Sequence, residues 1–168
     1  DDKGALRLFP VDDLDWEEAC GLFNIYKDSD FDRLILNPTL VNSRMDSVTD
    51  STKRLGQGFS FTRISLAPGE WAQVSSDELR EMYYTFLVSR DRARRNALRV
   101  SYPAAAFRDW AAWDRSLEGK RVAPALNALA MGDNLAVEIA NAAHEGLLLS
   151  IGALSPSDQL VHRRPCPR

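Results

Sequence analysis

Apolar runs broken by a polar turn stand out most clearly between positions 21 and 36. Gly21-Leu22-Phe23-Asn24-Ile25-Tyr26-Lys27 and Phe31-Asp32-Arg33-Leu34-Ile35-Leu36 are two β-rich runs separated by the polar Asp28-Ser29-Asp30. The pattern predicts a β-hairpin, and Asn37-Pro38 stops its second strand because proline offers a ladder no N–H. Upstream, residues 1–10 show no clear period and read as a loose end. Acids leading into Leu14, Trp16 and Ala19 predict a short helix over 12–20. Residues 43–60 are polar and read as a loop, with Gly56-Gln57-Gly58 as a turn rather than half of a dinucleotide fingerprint. A short apolar piece over 59–66 is closed by Ala67-Pro68-Gly69-Glu70, a turn signal.

Farther along, Trp71-Ala72-Gln73-Val74-Ser75-Ser76 predicts a strand, and the aromatic, β-branched residues 83–88 predict another. Ser89 is placed to cap an arginine-rich helix running to about Arg99. Residues 101–120 hold Trp110, Trp113 and several alanines, a less regular helical patch. Residues 122–130 are mostly apolar and are interrupted by Met131-Gly132-Asp133. Beyond it, Leu135, Ile139, Ala142 or Ala143, and Gly146 or Leu147 recur at helical spacing, with Asp133 or Asn134 as N-cap. The tail from Ser155 carries three prolines and no period. A hairpin, two further strands and two or three helices make the expected class mixed α+β.

Composition narrows the class of protein. A chain of 168 residues that is 45% apolar and 27% charged can bury roughly 70% of its unfolded surface, enough for a real core. It is neither collagenous nor of low complexity. No apolar run approaches the ~20 residues of a membrane span, and no charged-then-apolar leader opens the chain. Two cysteines, Cys20 and Cys166, make no disulfide framework, so the expected setting is reducing and intracellular, cytoplasm or nucleus. An opening Asp1-Asp2 without methionine predicts a trimmed or partial chain.

The net charge of −3 is too small to name a partner, but it is unevenly spread. Residues 1–32 hold ten acids against Lys3, Arg7 and Lys27, while arginines gather at Arg90, Arg92, Arg94, Arg95 and Arg99, and again at Arg163, Arg164 and Arg168. Such clusters are solvated faces by default. The alternative is a phosphate track, where counterion release supplies the affinity. The histidines His144 and His162 lack metal-ligand spacing, and nothing local supports Cys20 with His144 as a nucleophile pair.

Three separated pieces carry chemistry together. Lys27 and Arg33 near the hairpin tip can aim two cations at one polyphosphate, with Asn42 nine residues after the arginine. Asp77-Glu78 leaves a predicted strand and precedes Tyr83-Tyr84-Thr85-Phe86, a carboxylate placed to hold Mg²⁺ beside an aromatic floor for a nucleotide sugar. Leu129-Ala130-Met131-Gly132-Asp133 before a helix puts a glycine where another chain can approach the backbone closely.

In this order and spacing, residues 20–150 resemble the fingers and N-terminal palm of a retroelement reverse transcriptase, an RNA-directed DNA polymerase. The resemblance implies a finger β-hairpin, a partial palm of short antiparallel sheet on helices, a lead-in over 1–19 and a Pro/Arg-rich tail over 151–168. It implies that Lys27 and Arg33 contact the triphosphate, that Asp77 or Glu78 is the catalytic acid holding Mg²⁺, and that Tyr83 or Tyr84 meets the sugar. Met131 and Gly132 would support the base pair. The implied partners are an RNA or DNA primer–template and a deoxynucleoside triphosphate, with no membrane.

The departures shape the expectation. Counting back from the tyrosine in the family's commonest spacing puts the metal-binding aspartate at Glu78 rather than Asp77. The extra methylene of glutamate shifts a carboxylate by more than about 1 Å, enough to impair an aligned two-metal site. Ala130 stands where a proline is common. The family's Tyr-x-Asp-Asp hairpin, which helps clamp two Mg²⁺ about 3.5–4 Å apart, is absent, so the chain alone is expected to be inactive. The alternatives are a non-catalytic nucleic-acid-binding module using the arginine-rich helix and the basic tail, a decayed element copy, or an interaction domain. Plainer roles exist for the same residues: Tyr83, Tyr84 and Phe86 covering a core, Asp77 capping a turn, and Lys27 and Arg33 in exposed ion pairs worth ~0–1 kcal/mol.

Overall fold

A computed structural model describes residues 4–46, 58–74, 76, 78–162 and 164. The chain is mixed α+β with small antiparallel sheets, and it divides into two units: Asp1–Asp46 with Glu81–Ala136, and Ser47–Arg80 with Val137–Arg168.

The first unit is organised by strands β1 (Leu6–Pro10), β2 (Gly21–Tyr26), β3 (Asp32–Asn37), β4 (Tyr102–Pro103) and β5 (Arg121–Leu126). One sheet has the antiparallel order β1-β5-β4, and the other is the β2-β3 ribbon. In the larger sheet Leu6 faces Leu126 and Pro10 faces Val122. Residues 6–10 are therefore not the loose end expected from their lack of period: pairing with a strand far downstream, invisible locally, buries Leu8 and Phe9. Pro124 is tolerated in the middle strand because β4 pairs only with Val122 and Arg121. On the side of the missing N–H, the Pro124 carbonyl accepts from the Leu98 amide at 2.9 Å.

Side chains alternate across this sheet and build a cluster on each face. Leu8 and Val122 pack with Ala104, Phe107 and Leu117. Phe9 and Ala125 pack with Ala93 and Ala97. Residues 101–120, expected to be helical, form β4 and two 3-10 turns, Ala104–Phe107 and Arg115–Leu117. The Asp114 carboxylate accepts the Ser116 amide at 2.7 Å and starts the second turn; hydrogen bonding from the Ser116 hydroxyl first, and then from its amide, holds this carboxyl below its ordinary range.

Among the described residues three helices are short, α1 (Thr39–Ser43), α2 (Met82–Thr85) and α3 (Arg90–Arg95), and one is longer, α4 (Ala136–Ser150). Helix α3 starts where the sequence indicates, the Ser89 hydroxyl accepting the Arg92 amide at 3.3 Å. It stops well before Arg99 because the buried Asn96 donates to the Leu126 and Ala128 carbonyls at 3.1 and 3.2 Å, pulling the chain out of helical register onto the exit of β5. The helix expected over 12–20 is a single 3-10 turn, Val11–Asp13, followed by turns. Its acids gather instead around Arg44, whose guanidinium lies 4.0, 3.0 and 3.6 Å from Asp15, Glu17 and Glu18.

Two expected strands do not form. Residues 83–88 begin in α2, entered from Glu81 at a left-handed φ of 53°, and only Leu87 finds a bridge, to Ala128. In the second unit, the described residues among 71–76 lie in no strand, and Trp71 and Val74 are 76% and 83% exposed. Aromatic and branched side chains favour a pleated surface only where a partner strand covers them. The described regular elements of that unit are a 3-10 segment, Gly58–Arg63, and nearly all of α4. Phe59 meets His162 edge-to-face at 5.8 Å, and the Gln159 amide donates to the Glu145 carboxylate at 2.9 Å. No described helix is long and apolar enough to cross a membrane.

Candidate functional site

The ribbon carries the two cations singled out by the sequence. Its register runs from Gly21 opposite Asn37 to Tyr26 opposite Asp32, with Ile25 facing Arg33. The Lys27 and Asp28 amides both donate to the Phe31 carbonyl, at 3.3 and 3.1 Å. The Asp28 carboxylate accepts the Asp30 and Phe31 amides at 3.1 and 3.0 Å. An aspartate that satisfies its own turn in this way explains why the polar tripeptide reverses the chain here.

Successive residues of a strand point to opposite faces, so Phe23, Ile25, Arg33 and Ile35 share one face of the ribbon, and the alternation carries Lys27 to the same face. Arg33 is exposed. Lys27 lies 4.0 Å from Asp28 and 6.0 Å above the Phe31 ring, its ammonium still half in solvent. On the opposite face Leu22, Leu34 and Leu36 turn toward β5 and line an apolar cavity of about 300 Å³.

The glycine turn docks at the foot of the ribbon. Gly132 has a φ of +96°, and a Cβ there would sit 3.7 Å from Pro38 Cδ and 3.9 Å from the Leu36 carbonyl. Space is adequate; the left-handed backbone is what demands glycine. Asn42 of α1 fastens the contact, its amide nitrogen donating to the Gly132 carbonyl at 2.9 Å and its oxygen accepting the Asn134 amide at 3.2 Å. The Asn134 side chain returns a bond to the Asn42 carbonyl at 3.2 Å. Met131 lies beside the glycine, about one-third exposed. The next residue, Asp133, is buried in an ion pair with Arg92. Its other oxygen accepts the Leu135 amide at 2.8 Å, in the turn that leads into α4.

The remaining sequence-derived candidates are distributed differently. Tyr83 and Tyr84 are half-buried in α2, and Tyr84 lines the apolar cavity beside Leu22 and Leu36. Glu78 is exposed, belongs to the second unit and lies outside any regular element. Asp77 lies outside the described residues. Among the described residues no group of three or more His, Cys, Asp or Glu stands together as a metal cage.

The arginines are mostly engaged. Arg92 is paired with Asp133 and donates to the Met45 sulfur at 3.1 Å. Arg95 lies 3.9 Å from Glu18, and Arg99 donates to the Trp16 carbonyl at 3.0 Å. Arg90 and Arg94 lie over the Phe9 ring at 5.3 and 5.9 Å. The link between Arg92 and Asp133, forty-one positions apart, had no local signal in the sequence, where Asp133 reads only as a cap.

Cys20 is 2% exposed, and burial pushes its thiol up to about 11. Arg92 opposes that shift and Asp133 adds to it, while the thiol donates to the Arg95 carbonyl at 3.2 Å. It is a packed core group rather than a nucleophile. The folded state therefore holds the proton that the unfolded chain loses first. Stability should be unaffected by this group below pH 9 and should fall as pH rises from about 9 toward about 11. Denaturation midpoints of the wild type against Cys20→Ala across that range check this: the alanine variant should show the shallower decline.

No family model, curated protein or solved structure matches the chain.

Proposed function

We propose that this chain is the finger and upper-palm portion of an RNA-directed DNA polymerase of the retroelement kind, and that its own contribution is to grip a deoxynucleoside triphosphate and its template partner. The observation that carries the reading is the clasp at Asn42. It joins two sequence-distant motifs, the cationic ribbon and the glycine turn, within one unit. Lys27 and Arg33 share a ribbon face and supply charge to the triphosphate, while Met131 and Gly132 form a small, close-approach turn for the paired base.

In the complete catalytic unit, acids from the first motif and from a Tyr-x-Asp-Asp hairpin would hold Mg²⁺, which supplies charge stabilisation at the phosphates. Glu78 offers a single exposed carboxylate, and the described residues build no metal cage of their own. The steps assigned to this chain are therefore binding and orientation. Asp77 or Glu78 is proposed as its metal-facing acid, and Tyr83 or Tyr84 as the aromatic at the sugar.

The proposal is tested on the chain as it stands by titrating a fluorescent deoxynucleoside triphosphate. Lys27→Gln with Arg33→Gln should weaken binding about 10-fold at low salt, two exposed charge-assisted contacts each losing under 1 kcal/mol. The parent nucleoside without phosphates should be unaffected. Equal triphosphate affinity of wild type and double variant would reject the assignment. A chain continued through a Tyr-x-Asp-Asp hairpin should extend a primer on an RNA template.

A further inference from the structure

The larger sheet ends on one side at β1, an edge strand, and beside that edge lies a second cleft of about 660 Å³. Its walls are β1 itself and the stretch around Ala111–Lys120, and its lining is dominated by polar atoms. Three cations reach it from three separate parts of the chain: Arg7 from β1, Arg90 from the start of α3, and Lys120 from the loop before β5. Two acids also line it, Asp13 and Asp114, and the Asp114 carboxylate is already bonded to the Ser116 amide.

The arginines are held rather than loose. The Arg7 Nε donates to the Asn127 side-chain oxygen. Asn127 is 6% exposed and is anchored in turn, its side-chain nitrogen donating to the Gly4 carbonyl at 2.9 Å and its amide to the Ala5 carbonyl at 2.7 Å. A buried amide used to orient a guanidinium at a cleft wall leaves that group's outer N–H donors for a ligand. Arg90 lies over the Phe9 ring at 5.3 Å, a contact that favours the cation without using its hydrogen-bond donors. Among the described residues Arg7, Arg90 and Lys120 have no acidic partner, whereas Arg44, Arg92, Arg95 and Arg108 all do. In a chain with more acids than bases, three cations kept unpaired along one groove are suited to a ligand that brings its own negative charges.

We propose that this cleft is a binding track for the phosphodiester backbone of a single nucleic-acid strand, with Arg7, Arg90 and Lys120 as phosphate contacts. The site is distinct from the ribbon and does not depend on the nucleotide-binding role given to Lys27 and Arg33. Its chemistry is sequence-independent, because phosphates position a strand without reading it.

Anisotropy of a fluorescein-labelled oligodeoxythymidylate 20-mer, titrated with the full chain between 50 and 200 mM salt, tests it. Each phosphate contact on a single strand contributes about 0.7 to the slope of log K against log salt. Lys120→Gln with Arg90→Gln should therefore bind about 5- to 10-fold more weakly at 50 mM salt, with a slope shallower by about 1.4. Arg80 is exposed and does not line this cleft; Arg80→Gln removes the same charge and should leave affinity and slope unchanged. Lys120→Gln alone, an exposed loop change, keeps the test open if the double variant fails to fold, with a slope shallower by about 0.7.

No binding by wild-type chain at 50 mM salt would overturn the proposal, as would cleft variants that bind like wild type. An Arg80→Gln loss equal to the loss at Lys120 would also overturn it, because net charge rather than the cleft would then be responsible. The triphosphate titration is read separately, so either site can fail without the other.

Discussion

Phe9→Ala is expected to destabilise the protein by about 4 kcal/mol, a large part of the 5–15 kcal/mol that holds a typical domain folded. The ring is 1% exposed and lies between the sheet and α3, against Ala93, Ala97 and Ala125. The buried neighbours are alanines whose positions are set by backbone, leaving only the partly buried Leu14 and Val88 to move in, and a cavity that fails to collapse incurs the full penalty. Removing the ring also leaves the Arg90 and Arg94 guanidinium groups without the surface they rest on, each such contact being worth roughly 0.5–1 kcal/mol when exposed. Urea denaturation should show a lower midpoint with an unchanged slope. Phe9→Leu should recover more than half of the loss, and an alanine variant within 1 kcal/mol of wild type would show that this layer is not the core.

The second large effect is expected at Asp133→Ala, at about 3–5 kcal/mol. The Asp133 side chain is 2% exposed and that of Arg92 19%, so truncating the acid strands a mostly buried cation and removes the acceptor of the Leu135 amide. Asp133→Asn keeps an acceptor for that amide but leaves the cation unbalanced, and should fall between alanine and wild type. Replacing both partners with apolar residues, Arg92→Met with Asp133→Leu, should cost far less than the sum of the single changes, because no unpaired charge remains. Guanidinium-free denaturation at two ionic strengths checks that the coupling is insensitive to salt, as burial requires. A coupling energy near zero would mean that the pair does not hold the glycine turn.

What the sequence made legible was local. The ribbon over 21–37 could be read because two β-rich runs, a polar turn around Asp28 and a proline stop all sit within one short window. The start of α3 could be read from Ser89, and α4 from apolar residues at helical spacing. What escaped depends on partners far along the chain. β1 is five residues of mixed character that become a strand only against β5. Residues 83–88 have strand chemistry but only the bridge at Leu87 to Ala128, so the first of them coil into a helical turn.

The candidate site divides in the same way. Lys27, Arg33 and Gly132 were found by their neighbours in sequence, and the fold gives them a ribbon face and a docked turn. Asn127, which orients Arg7, and the union of Arg92 with Asp133 join elements that no window spans.

The Asn42 side chain gives a proton to one backbone group of the turn and takes one from another, through opposite ends of a single planar amide. Aspartate would set oxygen against oxygen at Gly132, and leucine would leave both groups to water and undo the clasp, so shape alone does not satisfy this position. Any tilt of the ribbon's base must drag the turn along with it, which makes the two a single lever rather than a pair of parts that adjust separately.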